Sequence, residues 1–100
     1  MITDRHMKTM TDIHGVTYSI DKAYIVTATD KFLSGWGMAS GKTHKQIVIC
    51  EDYTQAERVA YNLKKQGLTY VNIRKDFPSL SSTRYTWSIR YAKDCPLWNK

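Results

Sequence analysis

The sequence predicts an α+β domain in the order β-β-α-β-β: a four-stranded, mostly antiparallel sheet with one helix packed on one face. Three observations carry this. Ile47-Val48-Ile49-Cys50 is a short continuous apolar run of the kind found in a buried central strand. Ala56, Val59, Ala60 and Leu63 fall at i, i+3, i+4 and i+7 and make one helical stripe. Arg84 to Tyr91 alternates strictly, with Tyr85, Trp87, Ile89 and Tyr91 on one side and Arg84, Thr86, Ser88 and Arg90 on the other.

In chain order, residues 1–14 show neither helical nor alternating periodicity and read as a flexible N-terminal tail, leaving 15–100 as a single domain. β-branched and aromatic residues then accumulate from Val16 to Thr29 and predict one strand, with Asp21-Lys22 as a polar stretch within it or a turn. Asp30 to Gln46 contains Gly35, Gly37 and Gly41 and reads as a long loop. The apolar strand ending at Cys50 follows.

The helix has marked ends. Thr54 with Glu57, or Asp52 with Gln55, supplies a capping box at its start. Lys64 and Lys65 suit its negative C-terminal end, and Gly67 suits the left-handed position just beyond. Thr69 to Arg74 alternates again as a strand, Asp76 to Ser82 connects, and Pro96 stops any strand after Tyr91. The aromatic ladder Tyr85, Trp87, Tyr91 is expected to face the helix as core. One helix covers one face of a sheet, so the other face is solvated, occupied by a partner, or covered by the tails.

The chain has 100 residues, room for one core and little more. An aromatic fraction of 12% within 42% hydrophobic residues argues against a disordered chain. No apolar run reaches the length of a membrane span, and the polar start Met1-Ile2-Thr3-Asp4-Arg5-His6 lacks a signal-peptide core, so a cytoplasmic protein is expected. Two cysteines, Cys50 and Cys95, are too few for a disulfide scaffold or a four-thiolate zinc site.

Catalytic patterns fail on spacing. Gly41-Lys42-Thr43 looks like the end of a phosphate loop, but the glycine required five residues earlier is Trp36. His44 has no Cys or carboxylate at a ligand spacing, and about 20 Å of extended chain separates it from Cys50. Glu51-Asp52 has a structural reason to stand at a helix start. No catalytic residue, metal site or cofactor is expected, and a binding protein is favoured over an enzyme.

Charge is more informative. Net charge is +6, and eight of the 15 Lys and Arg lie between Arg58 and Lys93, where Asp76 is the one acid. Tyr70, Arg74, Arg84 and Arg90 would form a basic aromatic patch for nucleic acid if their faces coincide on an open side of the sheet. The glycine loop carries Phe32, Leu33, Trp36 and Met38, large apolar residues that either plug one end of the sheet or anchor a partner.

The segment Asp30-Lys31-Phe32-Leu33-Ser34-Gly35-Trp36-Gly37, followed by Gly41-Lys42, the strand ending in Cys50 and Glu51-Asp52-Tyr53, resembles small bacteriophage- and prophage-encoded proteins whose function is not established. The likeness spans about Tyr24 to Tyr91 and carries no active-site residue. It implies a context: short phage proteins often bind a host machine and block it, anti-CRISPR proteins being one such class. The expected function is therefore stoichiometric inhibition of a host defence complex such as a CRISPR effector, in the bacterial cytoplasm. A net charge of +6 rules out imitation of the DNA phosphate backbone. The expected contact residues are Lys31, Phe32, Trp36, Met38, Lys42 and Arg84, with nucleic-acid binding as the alternative.

Overall fold

The computed structural model describes residues 9–12, 14–20, 23–30, 42–81, 83–96 and 98. The elements are β1 (Thr9–Thr11), β2 (Thr17–Ser19), β3 (Tyr24–Thr29), β4 (Thr43–Cys50), α1 (Tyr53–Lys65), β5 (Thr69–Arg74) and β6 (Tyr85–Tyr91), with a short 3-10 turn at Ala92–Asp94. The last four strands in chain order form one sheet in the order β5-β3-β4-β6, and β1 with β2 forms a second, two-stranded one. Strand β3 runs antiparallel to both its neighbours, while β4 and β6 are parallel. This is the expected α+β class, with the β-β-α-β-β order preserved in the main sheet and a hairpin added ahead of it.

Helix α1 starts on the earlier of the two possible capping boxes. The Asp52 carboxylate accepts the Gln55 N–H at 2.8 Å, and the Gln55 side chain reaches back to accept the Glu51 N–H at 2.7 Å. The helix ends on a Schellman turn: Leu68 N–H donates to the Leu63 carbonyl and Gly67 N–H to that of Lys64, with Gly67 at φ +93°. Its stripe of Ala56, Val59, Ala60 and Leu63 packs on Val26, Ala28, Val48 and Cys50.

The opposite face of the sheet is also buried. Ile25, Ile47, Ile49 and Ile89 pack there against Met10 and Ile20 from the hairpin and against Phe77. Burial on both faces is why Ile47 to Cys50 is apolar at every position. Three expectations are corrected by this second layer. The end of the expected tail is structured: Thr9–Thr11 pairs with Thr17–Ser19, and the Asp12 carboxylate accepts the His14 and Val16 amides to shape the turn. The stretch Val16 to Thr29 is not one strand, because β2 and β3 belong to different sheets.

The third correction concerns the ladder of β6. Ile89 stands in register with Ile47, so Trp87, Ile89 and Tyr91 face the hairpin and not the helix. Trp87 Nε1 donates to the Thr11 carbonyl at 2.8 Å, and the Tyr18 and Tyr91 rings lie 5.7 Å apart. The strand order, which the sequence leaves open, puts β5 and β6 at opposite edges of the sheet. The segment joining them, read as a plain connection, crosses the face away from α1 and inserts Phe77 and Leu80 into that core.

Phe77 is 1% exposed and Tyr61, on the outer side of α1, is 62% exposed. Phe77→Ala is expected to cost about 3–5 kcal/mol in urea unfolding, and Tyr61→Ala to stay within about 0.5 kcal/mol. Equal unfolding midpoints for the two variants would show that the second layer does not hold the sheet.

Candidate functional site

One end of the main sheet gathers the two described ends of the glycine loop with Lys42, Lys45, Tyr70, Arg84 and Tyr85. The chain leaves β3 at Asp30 and re-enters at Lys42, just before β4; Lys31, Phe32, Trp36 and Met38 lie outside the described residues. Both loop ends are tied down. Asp30 N–H donates to the His44 carbonyl at 2.9 Å, and Thr43 N–H donates to the Arg84 carbonyl at 3.0 Å. Thr43 pairs with Tyr85, which sets Lys42 and Arg84 side by side on adjacent strands.

Lys45 is the centre of this end. It shares the face opposite α1 with Thr29 and donates to the Thr29 hydroxyl at 2.6 Å. Its ammonium lies 5.8 Å from the Tyr70 ring centre and 5.9 Å from that of Tyr85, within cation–π range of both. Partial burial lowers the lysine pKa from its usual value.

Tyr70 reaches this position at a conformational cost. Pairing of β5 with β3 shifts register between Thr27 and Thr29, and Tyr70 there takes a left-handed φ of +52°. A tyrosine gains nothing sterically from that backbone, and the residue is 77% exposed. The strain holds an aromatic face in solvent beside a fixed cation.

Beneath Lys45, on the face toward α1, lies a polar clasp. His44 is fully buried, with Nδ1 2.7 Å from the Thr86 hydroxyl and Nε2 3.0 Å from that of Ser88. A neutral imidazole satisfies both contacts, donating at one nitrogen and accepting at the other. Burial lowers the His44 pKa, the Asp30 charge opposes that shift, and the Arg90 charge adds to it. Next to it Gln46 Nε2 donates to Asp30 Oδ2 at 3.1 Å. The Ser88–His44–Thr86 chain resembles a nucleophile with its base, but the imidazole is closed from solvent and its two hydroxyl contacts both come from β6. It fastens β4 to β6.

The nucleic-acid constellation is divided by the fold. Tyr70 and Arg84 stand at the loop end, whereas Arg74, in register with Ile25 on the face away from α1, is paired with Asp76 at 3.1 Å. Arg90 is on the α1 side, 5.5 Å over the Trp98 ring. The sheet face expected to be open is covered by the hairpin, Phe77 and Leu80.

Lys45 was not among the residues singled out in the sequence, and Tyr85 was expected to face the helix as core, whereas it lies on the opposite face beside Lys45. Thr43 to Gln46 reads as glycine-loop chain, although its alternation of His44 and Gln46 with Lys45 continues the strand.

The cysteines are packing residues in the described structure. Burial, then the nearby Asp52 charge, pushes the Cys50 thiol up to about 12, and Cys95 is raised chiefly by burial. Among the described residues, no three His, Cys, Asp or Glu side chains are placed to share a metal ion, and no helix is long and apolar enough to cross a membrane.

The chain is a small α+β domain with a cationic, aromatic end. Comparison of the chain with protein-family models, curated proteins and solved structures finds no match.

Two outcomes test this local account. Because the folded pKa of His44 is lowered, its contribution is complete above the unfolded value near 6.5 and is lost as pH falls below it. The stability of the protein should fall between pH 7.5 and 5.5, and His44→Gln should flatten that slope; an unchanged slope would contradict the buried neutral imidazole. Tyr70→Gly relieves the left-handed backbone and should raise stability by about 1 kcal/mol in urea unfolding. A loss of that size would mean the ring supports the fold and is not merely displayed.

Proposed function

We propose that this chain is a non-enzymatic binding protein that docks the loop end of its sheet onto an acidic surface of a host protein complex, as a phage-encoded inhibitor. The observation that supports this is the arrangement of Lys45 between Tyr70 and Tyr85, with Lys42 and Arg84 alongside. Tyrosine and arginine are the residues that most often carry interface energy, and a lysine held by two rings and a hydroxyl loses little freedom on binding. The glycine loop departs from the same end, so Lys31, Phe32, Trp36 and Met38 would extend the contact. The net charge of +6 favours an acidic partner and speeds encounter with it. The likeness to phage proteins supports a host defence complex, such as a CRISPR effector, as the partner, met in the bacterial cytoplasm. No cofactor takes part in this reading.

Binding of single-stranded nucleic acid is the second reading, and one feature favours it: Tyr70 offers an exposed ring face for base stacking beside a cation. The covered sheet face leaves room for stacking at this end alone.

Expression of the chain in a bacterium whose CRISPR system targets an infecting phage should restore plaque formation. The double substitution Tyr70→Ala with Lys45→Ala should weaken partner binding by about tenfold or more while the protein remains folded. Soluble protein that leaves plating unchanged across CRISPR types would refute the inhibitor reading. Tight binding to random single-stranded RNA with a steep loss in salt would replace it with the nucleic-acid reading.

A further inference from the structure

The polar clasp beneath Lys45 holds one atom that its neighbours do not satisfy. Gln46 is 5% exposed, and among the described residues nothing donates a hydrogen bond to its Oε1. The orientation of the amide is fixed. Nε2 donates to Asp30 Oδ2 at 3.1 Å, and turning the group over would set two oxygen acceptors against each other. The other buried side chains of the clasp are bonded, His44 to Thr86 and Ser88, and Asp30 to Gln46. Folded proteins leave few buried carbonyl oxygens unpaired, because the hydration lost on burial has to be replaced.

The next strand supplies a second polar group. Ser88 stands in register with Gln46 across the parallel pair β4 and β6. Its hydroxyl has one donor and two acceptor sites, and the contact with His44 Nε2 at 3.0 Å uses one of them in either tautomer. Adjacent strands lie about 4.8 Å apart, a gap that two hydrogen bonds through one bridging atom span.

These requirements select the occupant. It has to donate to Gln46 Oε1, bond a second oxygen, and fit between the side chains of two paired strands. A hard metal ion fails on ligand number, since it takes about six or more oxygens and Gln46 with Ser88 offers two. An organic ligand fails on size. Water carries two donors and needs about two to four polar partners. It also has a way in: Ser88 is half-buried and, with Ile89 and Arg90, lines a surface hollow of about 260 Å3.

We infer that one internal water molecule is bound between Gln46 Oε1 and Ser88 Oγ, and that it closes a continuous hydrogen-bonded chain running from Asp30 through Gln46, the water, Ser88 and His44 to Thr86. The chain crosses three strands. It begins where β3 gives way to the glycine loop and ends on β6 next to Tyr85, so the water links the departure point of the loop to the strand that carries Arg84 and Tyr85. The site holds whatever docks at the loop end.

The test uses the full-length 15N-labelled chain in solution. A long-lived water should give nuclear Overhauser contacts to the Gln46 side-chain amide protons. Gln46→Met keeps the length of the side chain and removes the acceptor, and it should lower the oxygen-17 relaxation dispersion of the solvent by the equivalent of one molecule. Absence of a water contact at Gln46 in the unaltered chain would overturn the proposal, and that measurement needs no variant to fold. An unchanged dispersion amplitude in folded Gln46→Met protein would overturn it as well. Exchanging choline chloride for potassium chloride at equal ionic strength should leave the Gln46 side-chain resonances in place; a saturable shift would assign the site to a cation instead.

Discussion

Two-sided burial of β3 and β4 is the constraint on which the rest of this structure depends. From Ile25 to Thr29, and from Gln46 to Cys50, every residue is buried, whichever face its side chain occupies. A sheet of that kind has to be covered twice, and a chain with one amphipathic helix has one ready cover. The second is assembled from pieces with little structure of their own: a three-residue strand pair, one methionine, and a connecting segment that contributes Phe77 and Leu80. This explains why the link between β5 and β6 crosses the whole sheet, and why β6 turns its aromatic ladder away from α1.

The same constraint produces the candidate site. Apolar packing on both faces runs out toward the loop end, where β4 carries His44, Lys45 and Gln46 in place of isoleucine and valine. On the α1 side the polar residues bond one another, through the hydroxyls of Thr86 and Ser88 and the pair formed by Gln46 and Asp30. A buried imidazole bonded at both nitrogens fixes β6 against β4, which positions Arg84 and Tyr85. On the other side Lys45 lies between two tyrosine rings and donates to the Thr29 hydroxyl. Structural polarity and displayed polarity thus occupy opposite faces of the same three residues.

Much of the scaffold was legible because local physics decides it. The helix stripe, its acidic start and its Gly67 stop depend on neighbours within a few residues, and so does the alternation of β6. The face that the alternation presents was not legible. Period two separates Tyr85, Trp87, Ile89 and Tyr91 from the residues between them, but the choice of helix or hairpin follows from the Ile47–Ile89 register with a strand far away in sequence. The hairpin was missed for a related reason, since three residues contain one apolar position and no period. Lys45 was missed because loop glycines lay just ahead of it, and Tyr70 was noticed for its type with no sign of its left-handed backbone.

By itself the sequence determined the class of fold, the position and limits of the helix, the buried strand at Ile47 to Cys50, and a net positive charge. These follow from composition and from short-range periodicity, which survive without knowledge of partners. Tertiary structure alone decided that the sheet is covered on both faces, that Arg74 and Arg90 stand apart from Tyr70, that Lys45 lies between two tyrosines, and that β5 and β6 are the two edges. Each of those depends on strand order and register, set by which long-range pairing buries the most apolar surface.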